Sequence, residues 1–224
     1  MVIERAVPAR FITLEGVDGS GKSTQARLLA EALSASGRPV LLTREPGGAP
    51  GAEALRRFLL ESTFAFDPLT EALLHFAART EHAERTLRPA LSAGLTVVSD
   101  RFFDSTLAYQ GYGQGADRAV IATLIRLLDL TPHLTFVLDI PLERAGLRLA
   151  ARNTGANRYE RMDGGFLARV RAGFRAIAAH HPDRCMLIDA QPSAETVHEE
   201  LLAHALRCFS RPARGLPDAR DGRA

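Results

Sequence analysis

The sequence has no tryptophan, only two cysteines and a single lysine among its 224 residues. The cysteines, Cys185 and Cys208, form neither a metal-binding nor a redox spacing, which favours reduced thiols. No apolar run approaches about 18 residues and the N-terminus lacks a signal-like apolar core, so we expect a cytoplasmic protein without a membrane span. A formal net charge of +2 is too small to indicate a nucleic-acid surface but suits a small polyanionic substrate.

The lone lysine is the first positive signal. Of the 28 lysine and arginine residues only Lys22 is a lysine, and such a composition keeps a lysine where a compact ammonium on a flexible stem is needed. Lys22 lies in a stretch that matches the phosphate-binding pattern G-x-x-x-x-G-K-[ST]. We therefore expect the phosphates of a nucleotide, which the resemblance described below implies is ATP, to bind at Gly16, Val17, Asp18, Gly19, Ser20, Gly21, Lys22, Ser23 and Thr24.

The residue types in this loop suit nucleotide phosphates. Its glycines let backbone N–H groups turn towards an anion, and the helix predicted to begin here adds its positive end. Lys22 is placed to reach the β and γ phosphates, and the hydroxyl of Ser23 to ligate Mg²⁺. A strand-like run precedes the loop and apolar residues at helical spacing follow it, an order that favours a phosphate loop over a chance glycine turn.

Five short β-rich apolar runs alternate with helical segments, at residues 11–14, 40–43, 96–99, 134–138 and 185–188. The alternation predicts an α/β fold in three layers, with a five-stranded parallel sheet between helices on both faces. Each run ends in charge, and ligands of open parallel sheets bind at the carboxyl ends of the strands, so we expect a site along that rim. We place one domain at 11–210, after a leader at 1–10 and before a tail at 211–224 expected to be disordered.

Further clusters lie along the predicted rim. Asp100 can hold Mg²⁺ and Arg101 can bind a phosphate, although the two could simply pair with each other. The sequence Thr-Arg-Glu-Pro-Gly-Gly around Glu45 is either a turn or a substrate-contact loop. The glycine-rich segment 111–115 is predicted to be a flexible loop.

A predicted helix from 142 to about 152 carries Arg144, Arg148 and Arg152 on one face, before a break rich in glycine and asparagine. This composition is typical of a short mobile lid, at about 143–163, that closes arginines over phosphates. A solvated helix face would give the same pattern.

The segments LEGVDGSGKST, TREPGG and DRFFDSTLAYQG, together with the arginine-rich lid, resemble bacterial thymidylate kinases of the P-loop nucleoside monophosphate kinase family. The resemblance runs from about residue 11 to 205. It implies a P-loop kinase fold, a homodimer, ATP as co-substrate and Mg²⁺ as cofactor. The implied reaction transfers the γ-phosphate of ATP to dTMP, giving dTDP and ADP for dTTP synthesis. The alternative is another nucleoside or nucleoside monophosphate kinase of the same fold.

The resemblance also implies roles for single residues. Asp18 would bind the sugar 3′-hydroxyl, Arg101 and Arg56 the dTMP phosphate, and Arg79 the thymine. Because Gly19 leaves the loop without an arginine, the lid would supply one, from Arg148 or Arg152. The implied catalytic residues are Lys22, Arg101, Arg148 and Arg152, and the metal ligands are Ser23 and Asp100. The implied substrate-binding residues are Asp18, Glu45, Arg56, His75, Phe76, Arg79, Arg101, Ser105, Thr106, Tyr109 and Gln110.

Two positions depart from the family's pattern. The ring that stacks on thymine usually stands four residues before Arg79, where this chain has His75 and then Phe76. Positions three and four apart share a helix face, so either ring could fill the slot. The lid's usual Asp-Arg pair reads Asn157-Arg158 here.

The single lysine argues against other nucleotide-binding classes. A GTPase needs an Asn-Lys-x-Asp sequence and a protein kinase needs a strand lysine, but the phosphate loop already uses Lys22. Deoxynucleoside kinases carry a different Asp-Arg-Ser pattern that is absent here. A nucleotide-bound scaffold stays open, and ADP release that depends on dTMP would exclude it.

Overall fold

The computed structural model of the protein describes residues 9–151, 159 and 164–210. Within them one parallel sheet contains β1 (Phe11–Glu15), β2 (Val40–Arg44), β3 (Thr96–Asp100), β4 (Leu134–Asp139) and β5 (Cys185–Asp189). The strand order is β2-β3-β1-β4-β5, and every neighbouring pair is parallel. Each strand begins where the sequence predicts and ends one residue later, at the charged residue itself. The predicted fold class is confirmed.

Helices cover both faces of the sheet: α1 (Lys22–Ala35), α2 (Pro50–Glu61), α3 (Pro68–His82), α4 (Arg88–Ser92), α5 (Phe103–Thr106), α6 (Arg118–Leu128), α7 (Leu142–Ala150), α8 (Gly164–His180) and α9 (Ala194–Ser210). Successive side chains of a strand point to opposite faces. Ile12 and Leu14 accordingly pack into one buried cluster with α1 and α9, whereas Phe11 packs into another with α3, α4 and α6.

The expectation of a flexible loop at 111–115 is wrong for most of that segment. Leu107–Gly113 is a π-helical turn that continues α5. A Cβ on Gly113 would lie 2.6 Å from the ring of Phe166, and one on Gly173 would lie 2.7 Å from Tyr112. These glycines allow the π-helical turn and α8 to pack closely, so they serve contact between helices rather than flexibility.

The predicted tail, most of the leader and much of the predicted lid lie outside the described residues, so these boundaries stay predictions. The end of the leader belongs to the folded body, because Arg10 is buried and its Nε donates to the carbonyl of Cys208 at 3.3 Å. No helix in the described ranges is long and apolar enough to cross a bilayer.

Candidate active site

The carboxyl ends of β1, β2 and β3 meet around one pocket. Three acidic residues line this pocket: Asp18 follows β1, Glu45 follows β2 and Asp100 ends β3. The other two charged strand ends serve the fold instead. Asp139 accepts hydrogen bonds from Arg171 at 2.7 and 2.9 Å, and Asp189 accepts one from the backbone N–H of Gln191 at 3.0 Å. This pocket therefore occupies part of the rim rather than all of it.

The pocket brings together most of the side chains expected from the sequence. Those that line it are Asp18, Gly19, Gly21, Lys22, Ser23, Glu45, Arg56, His75, Arg79, Asp100, Arg101, Ser105, Thr106, Tyr109 and Gln110. Arg44, Pro46, Leu60 and Tyr159 also line it. Arg44 and Pro46 stand in the TREPGG segment and Tyr159 follows the lid's arginines, so a sequence signal lay close to each of these three. Leu60 is an apolar residue of α2, and no sequence pattern marks it.

The phosphate loop folds tightly because its glycines lie against the backbone of later elements. A Cβ on Gly16 would lie 2.5 Å from the carbonyl oxygen of Leu138, and one on Gly19 would lie 2.4 Å from that of Ala145. Both glycines have positive φ values, 137° and 83°, which residues with a Cβ rarely adopt. The loop therefore needs glycine for space as well as for backbone angles.

Lys22 is buried at the floor of the pocket. Its Nζ donates to the carbonyl of Val17 at 2.8 Å and lies 3.6 Å from a carboxylate oxygen of Asp18. Burial and the neighbouring Arg101 guanidinium lower the pKa of Lys22 to about 8. An anion in the pocket would favour the charged form of this ammonium.

Asp100 and Ser23 form a pair of oxygen ligands beside Lys22. The hydroxyl of Ser23 donates to Oδ2 of Asp100 at 2.5 Å, while Oδ1 of Asp100 is buried without a hydrogen-bond partner among the described residues. A buried carboxylate oxygen needs a partner, and Mg²⁺ commonly binds through one or two protein groups together with phosphate and water. Two protein oxygens leave most of the coordination shell of Mg²⁺ to phosphate and water, so this pair of residues fits such a shared site.

Arg101 reaches from the end of β3 across the mouth of the loop. Its guanidinium donates to the carbonyl of Gly16 at 3.1 Å and to the hydroxyl of Ser105 at 2.9 Å, and it pairs with Asp18. Its φ is 73°, a left-handed value that costs an L-residue with a Cβ about 1–2 kcal/mol. The surrounding contacts therefore hold Arg101 in a conformation that it would not adopt alone.

Arg79 is buried on α3 and lines the same pocket. Its Nε donates to Glu45 at 2.7 Å, one terminal nitrogen donates to the hydroxyl of Thr106 at 3.1 Å, and the other donates to the carbonyl of Phe102 at 3.0 Å. These bonds use three of the five N–H groups of the guanidinium. The remaining N–H groups are available to a ligand in the pocket that Arg79 lines.

The structure separates the two rings that the sequence left as alternatives. His75 lines the pocket one turn before Arg79, with its Nε2 at 2.9 Å from the hydroxyl of Tyr159. Phe76 packs in the core with α4 and α6, and its ring lies 4.7 Å beneath the guanidinium carbon of Arg79. Adjacent helical residues point about 100° apart, so the face that brings His75 to the pocket turns Phe76 into the core. The position of Phe76 does not fit direct contact with a substrate.

Glu71 accepts hydrogen bonds from several polar side chains at and beside the pocket. Its Oε1 accepts hydrogen bonds from the amides of Gln110 at 2.8 Å and Gln114 at 3.0 Å, and from the hydroxyl of Tyr159 at 2.7 Å. Glu71 is completely buried on α3, a position that sequence reasoning did not mark. This cluster fixes the amide of Gln110. It also attaches Tyr159, which follows α7 in the chain, to the wall of the pocket.

A second cavity lies on the other side of the phosphate loop. It is lined by Gly19, Ser20, Gly21, Thr24, Gln25, Arg148, Ala151, Ala190, Pro192, Ser193, Ala194 and Val197. Arg148 donates to the carbonyl of Ala190 at 2.9 Å, and its Nη1 lies 3.9 Å from the position that a Cβ on Gly21 would take. Ser20 Oγ and Gln25 Oε1 are buried with no hydrogen-bond partner in the described part of the chain. Of the two candidate lid arginines, Arg148 thus lies beside the loop, and Arg152 lies outside the described residues.

The chain as a whole matches a known enzyme family. The family described as thymidylate kinase matches residues 14–201 of the chain. The thymidylate kinase of Dinoroseobacter shibae is 49% identical over 199 residues, which cover 88% of this chain and 96% of that relative. The one from Gluconobacter oxydans is 50% identical over 196 residues, covering 86% and 92%. The crystal structure of a thymidylate kinase from Ehrlichia chaffeensis aligns with a TM-score of 0.73 at 39% identity, covering 89% of this chain and 99% of that one.

Proposed function

The chain belongs to the thymidylate kinase family, and on that premise we propose how its residues transfer the γ-phosphate of ATP to dTMP, giving ADP and dTDP. The observation that carries the proposal is the phosphate loop between two cavities, both of which reach Gly19 and Gly21. ATP enters the cavity beside Arg148 and Gln25, and dTMP enters the pocket beside Arg101 and Arg79. The transferred phosphoryl group then passes over the loop that separates them.

The acceptor nucleotide is read at both of its ends. Arg101 and Arg56 bind the dTMP phosphate, and the exposed Arg44 faces the same pocket. Arg79 donates to O4 of thymine, while His75, Thr106 and Gln110 shape the base slot. Because Phe76 lies in the core, we assign any stacking on the base to His75. Tyr109 and Ser105 also line the pocket, and we place the sugar beside them, with Asp18 accepting from its 3′-hydroxyl.

Mg²⁺ would be held by the Ser23 hydroxyl and by the carboxylate of Asp100, whose unpartnered Oδ1 supports this assignment. When bound, the ion neutralises charge on the β and γ phosphates. The remaining catalysis is positioning and charge stabilisation by the chain itself. Lys22 follows the γ-phosphoryl group from the floor of the pocket, and Arg101 with a lid arginine, Arg148 or Arg152, donates to the oxygens that gain charge in the transition state.

Assembly and location complete the proposal. Apolar side chains protrude from adjacent helices, with Phe58 49% exposed on α2, Leu73 48% on α3 and Leu127 72% on α6. Contiguous exposed apolar patches mark interaction surfaces, so we propose that these side chains form such a patch and that two copies associate through it as a homodimer. A chain with two cysteines and cytosolic nucleotides as substrates suits the reducing cytoplasm. Sedimentation analysis of the wild type and of Leu73→Arg tests the dimer, because a monomeric wild type would contradict it.

The reaction itself is tested by coupled detection of ADP with a panel of nucleoside monophosphates. We expect ADP formation that requires dTMP, falls to zero when EDTA removes divalent ions, and returns with added Mg²⁺. ADP formation at the same rate without any monophosphate would indicate a simple ATPase. A preference for another monophosphate would indicate a different kinase of this fold.

A further inference from the structure

Arg101 is held in its left-handed backbone conformation by three hydrogen bonds. Its own N–H donates to the carbonyl of Leu14 at 2.9 Å, and its carbonyl accepts from the hydroxyl of Ser99 at 2.8 Å. The next N–H, that of Phe102, donates to Oε1 of Glu15 at 2.7 Å. Both peptide groups that flank Arg101 are thus fastened to the ends of β1 and β3, and an unfavourable φ persists only when its surroundings fix it in this way.

Glu15 also controls the side chain of Arg101. Its second carboxylate oxygen accepts from the hydroxyl of Ser105 at 2.6 Å, and the same hydroxyl oxygen accepts from the Arg101 guanidinium at 2.9 Å. One carboxylate therefore fixes the backbone after Arg101 directly and its guanidinium through Ser105. Ser99 and Glu15 are both completely buried, and neither lines the pocket.

From these contacts we propose that Glu15 and Ser99 are positioning residues that present the Arg101 guanidinium to the phosphate of the acceptor nucleotide. The inference rests on the proposed role of Arg101 and deepens it. Neither residue touches the substrate. Without their hydrogen bonds the peptide groups around Arg101 relax towards the ordinary φ range, and the guanidinium leaves the direction in which Gly16, Ser105 and Asp18 now hold it.

The proposal predicts that the positioning variants lose only the part of the binding affinity that the phosphate of dTMP contributes. Thymidine fills the nucleoside part of the pocket without a phosphate, so the ratio of its Kd to that of dTMP measures what the phosphate contributes to binding. Calorimetry gives both constants for wild type, Arg101→Ala, Glu15→Gln and Ser99→Ala. Glutamine keeps the shape of Glu15 but has one acceptor oxygen instead of two, and alanine removes the Ser99 hydroxyl alone.

We expect Arg101→Ala to lower the ratio about 10- to 100-fold, which is the usual effect of losing a hydrogen bond to a charged group. The two positioning variants should lower the ratio about 3- to 10-fold, because they misplace the guanidinium without removing it. Thymidine affinity should stay within about twofold of wild type in Glu15→Gln and Ser99→Ala, which leave every pocket-lining side chain present. Thr13→Val is the matched control. It removes a buried hydroxyl of β1 that bonds Thr135 at 2.8 Å, and it should lower the melting temperature while leaving the ratio unchanged.

The outcomes distinguish the phosphate-binding role of Arg101 from the positioning role of Glu15 and Ser99. If Arg101→Ala leaves the ratio unchanged, the proposed phosphate role of Arg101 fails. If Arg101→Ala lowers the ratio but Glu15→Gln and Ser99→Ala do not, only the positioning role fails. A parallel loss of thymidine and dTMP affinity in the positioning variants would indicate general loosening of the pocket and would also overturn the inference.

Discussion

The buried pair of Arg79 and Glu45 allows base recognition to be separated from stability. Arg79 has donors only, so it can bond the O4 acceptor of thymine but meets the amino group of cytosine as donor against donor. A pocket that reads a polar group in this way discriminates by up to about 10⁴-fold, whereas a missing methyl supplies about 10–200-fold. We therefore expect dCMP to be nearly inert in the wild type and dUMP to be a slow substrate.

Replacing Arg79 by methionine should have two effects with different causes. The side chains of Arg79 and Glu45 are 3% and 2% exposed and 2.7 Å apart, and removing one partner of a buried pair costs about 3–5 kcal/mol. For a chain of this length that is a fall in Tm of about 6–20 °C. The same change removes the donor to O4, so the ratio of kcat/KM for dTMP to that for dCMP should drop towards the value set by shape alone.

The double variant Arg79→Met, Glu45→Gln tells the effects apart. It removes the uncompensated carboxylate, while an amide can still bond His82, which lies 3.0 Å from Glu45. We expect most of the lost Tm to return because the buried charge is gone, while base discrimination stays weak. Thermal unfolding and kcat/KM for dTMP, dUMP and dCMP measure both. An unchanged dTMP:dCMP ratio in either variant would refute Arg79 as the base reader, and a double variant no more stable than the single one would refute the ion-pair explanation.

Three further predictions concern the phosphates. Lys22→Met should lower kcat by about 10²–10³-fold or more, because the ammonium stabilises charge in the transition state. Tm should change little because the side chain does not pack in the hydrophobic core, and near-normal turnover would contradict the role of the loop. Since burial and Arg101 lower the pKa of Lys22 to about 8, kcat/KM for ATP should fall as pH rises through about 8, where Lys22 of the free enzyme loses its charge. A kcat/KM that stays constant up to pH 9 would argue against a role for the charged Lys22. Arg148→Ala should lower kcat with little change in KM for dTMP, and if this variant, Arg152→Ala and the double variant all turn over normally, neither is the lid arginine.

Local patterns determined the fold and much of the site. The five strands are apolar runs that end in charge, and this pattern is written in consecutive residues because strands covered on both faces must be apolar until they reach the rim. The phosphate loop is likewise consecutive, so Lys22 and Ser23 could be assigned from spacing alone. Arg101 was marked by its place beside Asp100 on the rim, whereas the roles of Arg79 and Gln110 came from the family resemblance. The structure brings all three residues to the same pocket.

Tertiary packing decided the features of the site that depend on contacts between distant segments of the chain. The choice between His75 and Phe76 depends on how α3 is rotated against the core, and both rings suit a helix equally well. Residues 107–113 form a π-helical turn because α8 packs against their glycines, a contact between segments more than fifty residues apart in the chain. Glu15 looked like the ordinary charged end of a strand. Only the pairing of β1 with β3 brings its carboxylate to the N–H of Phe102 and the hydroxyl of Ser105, since hydrogen-bond partners 87 and 90 residues apart are chosen by the folded chain and not by sequence spacing.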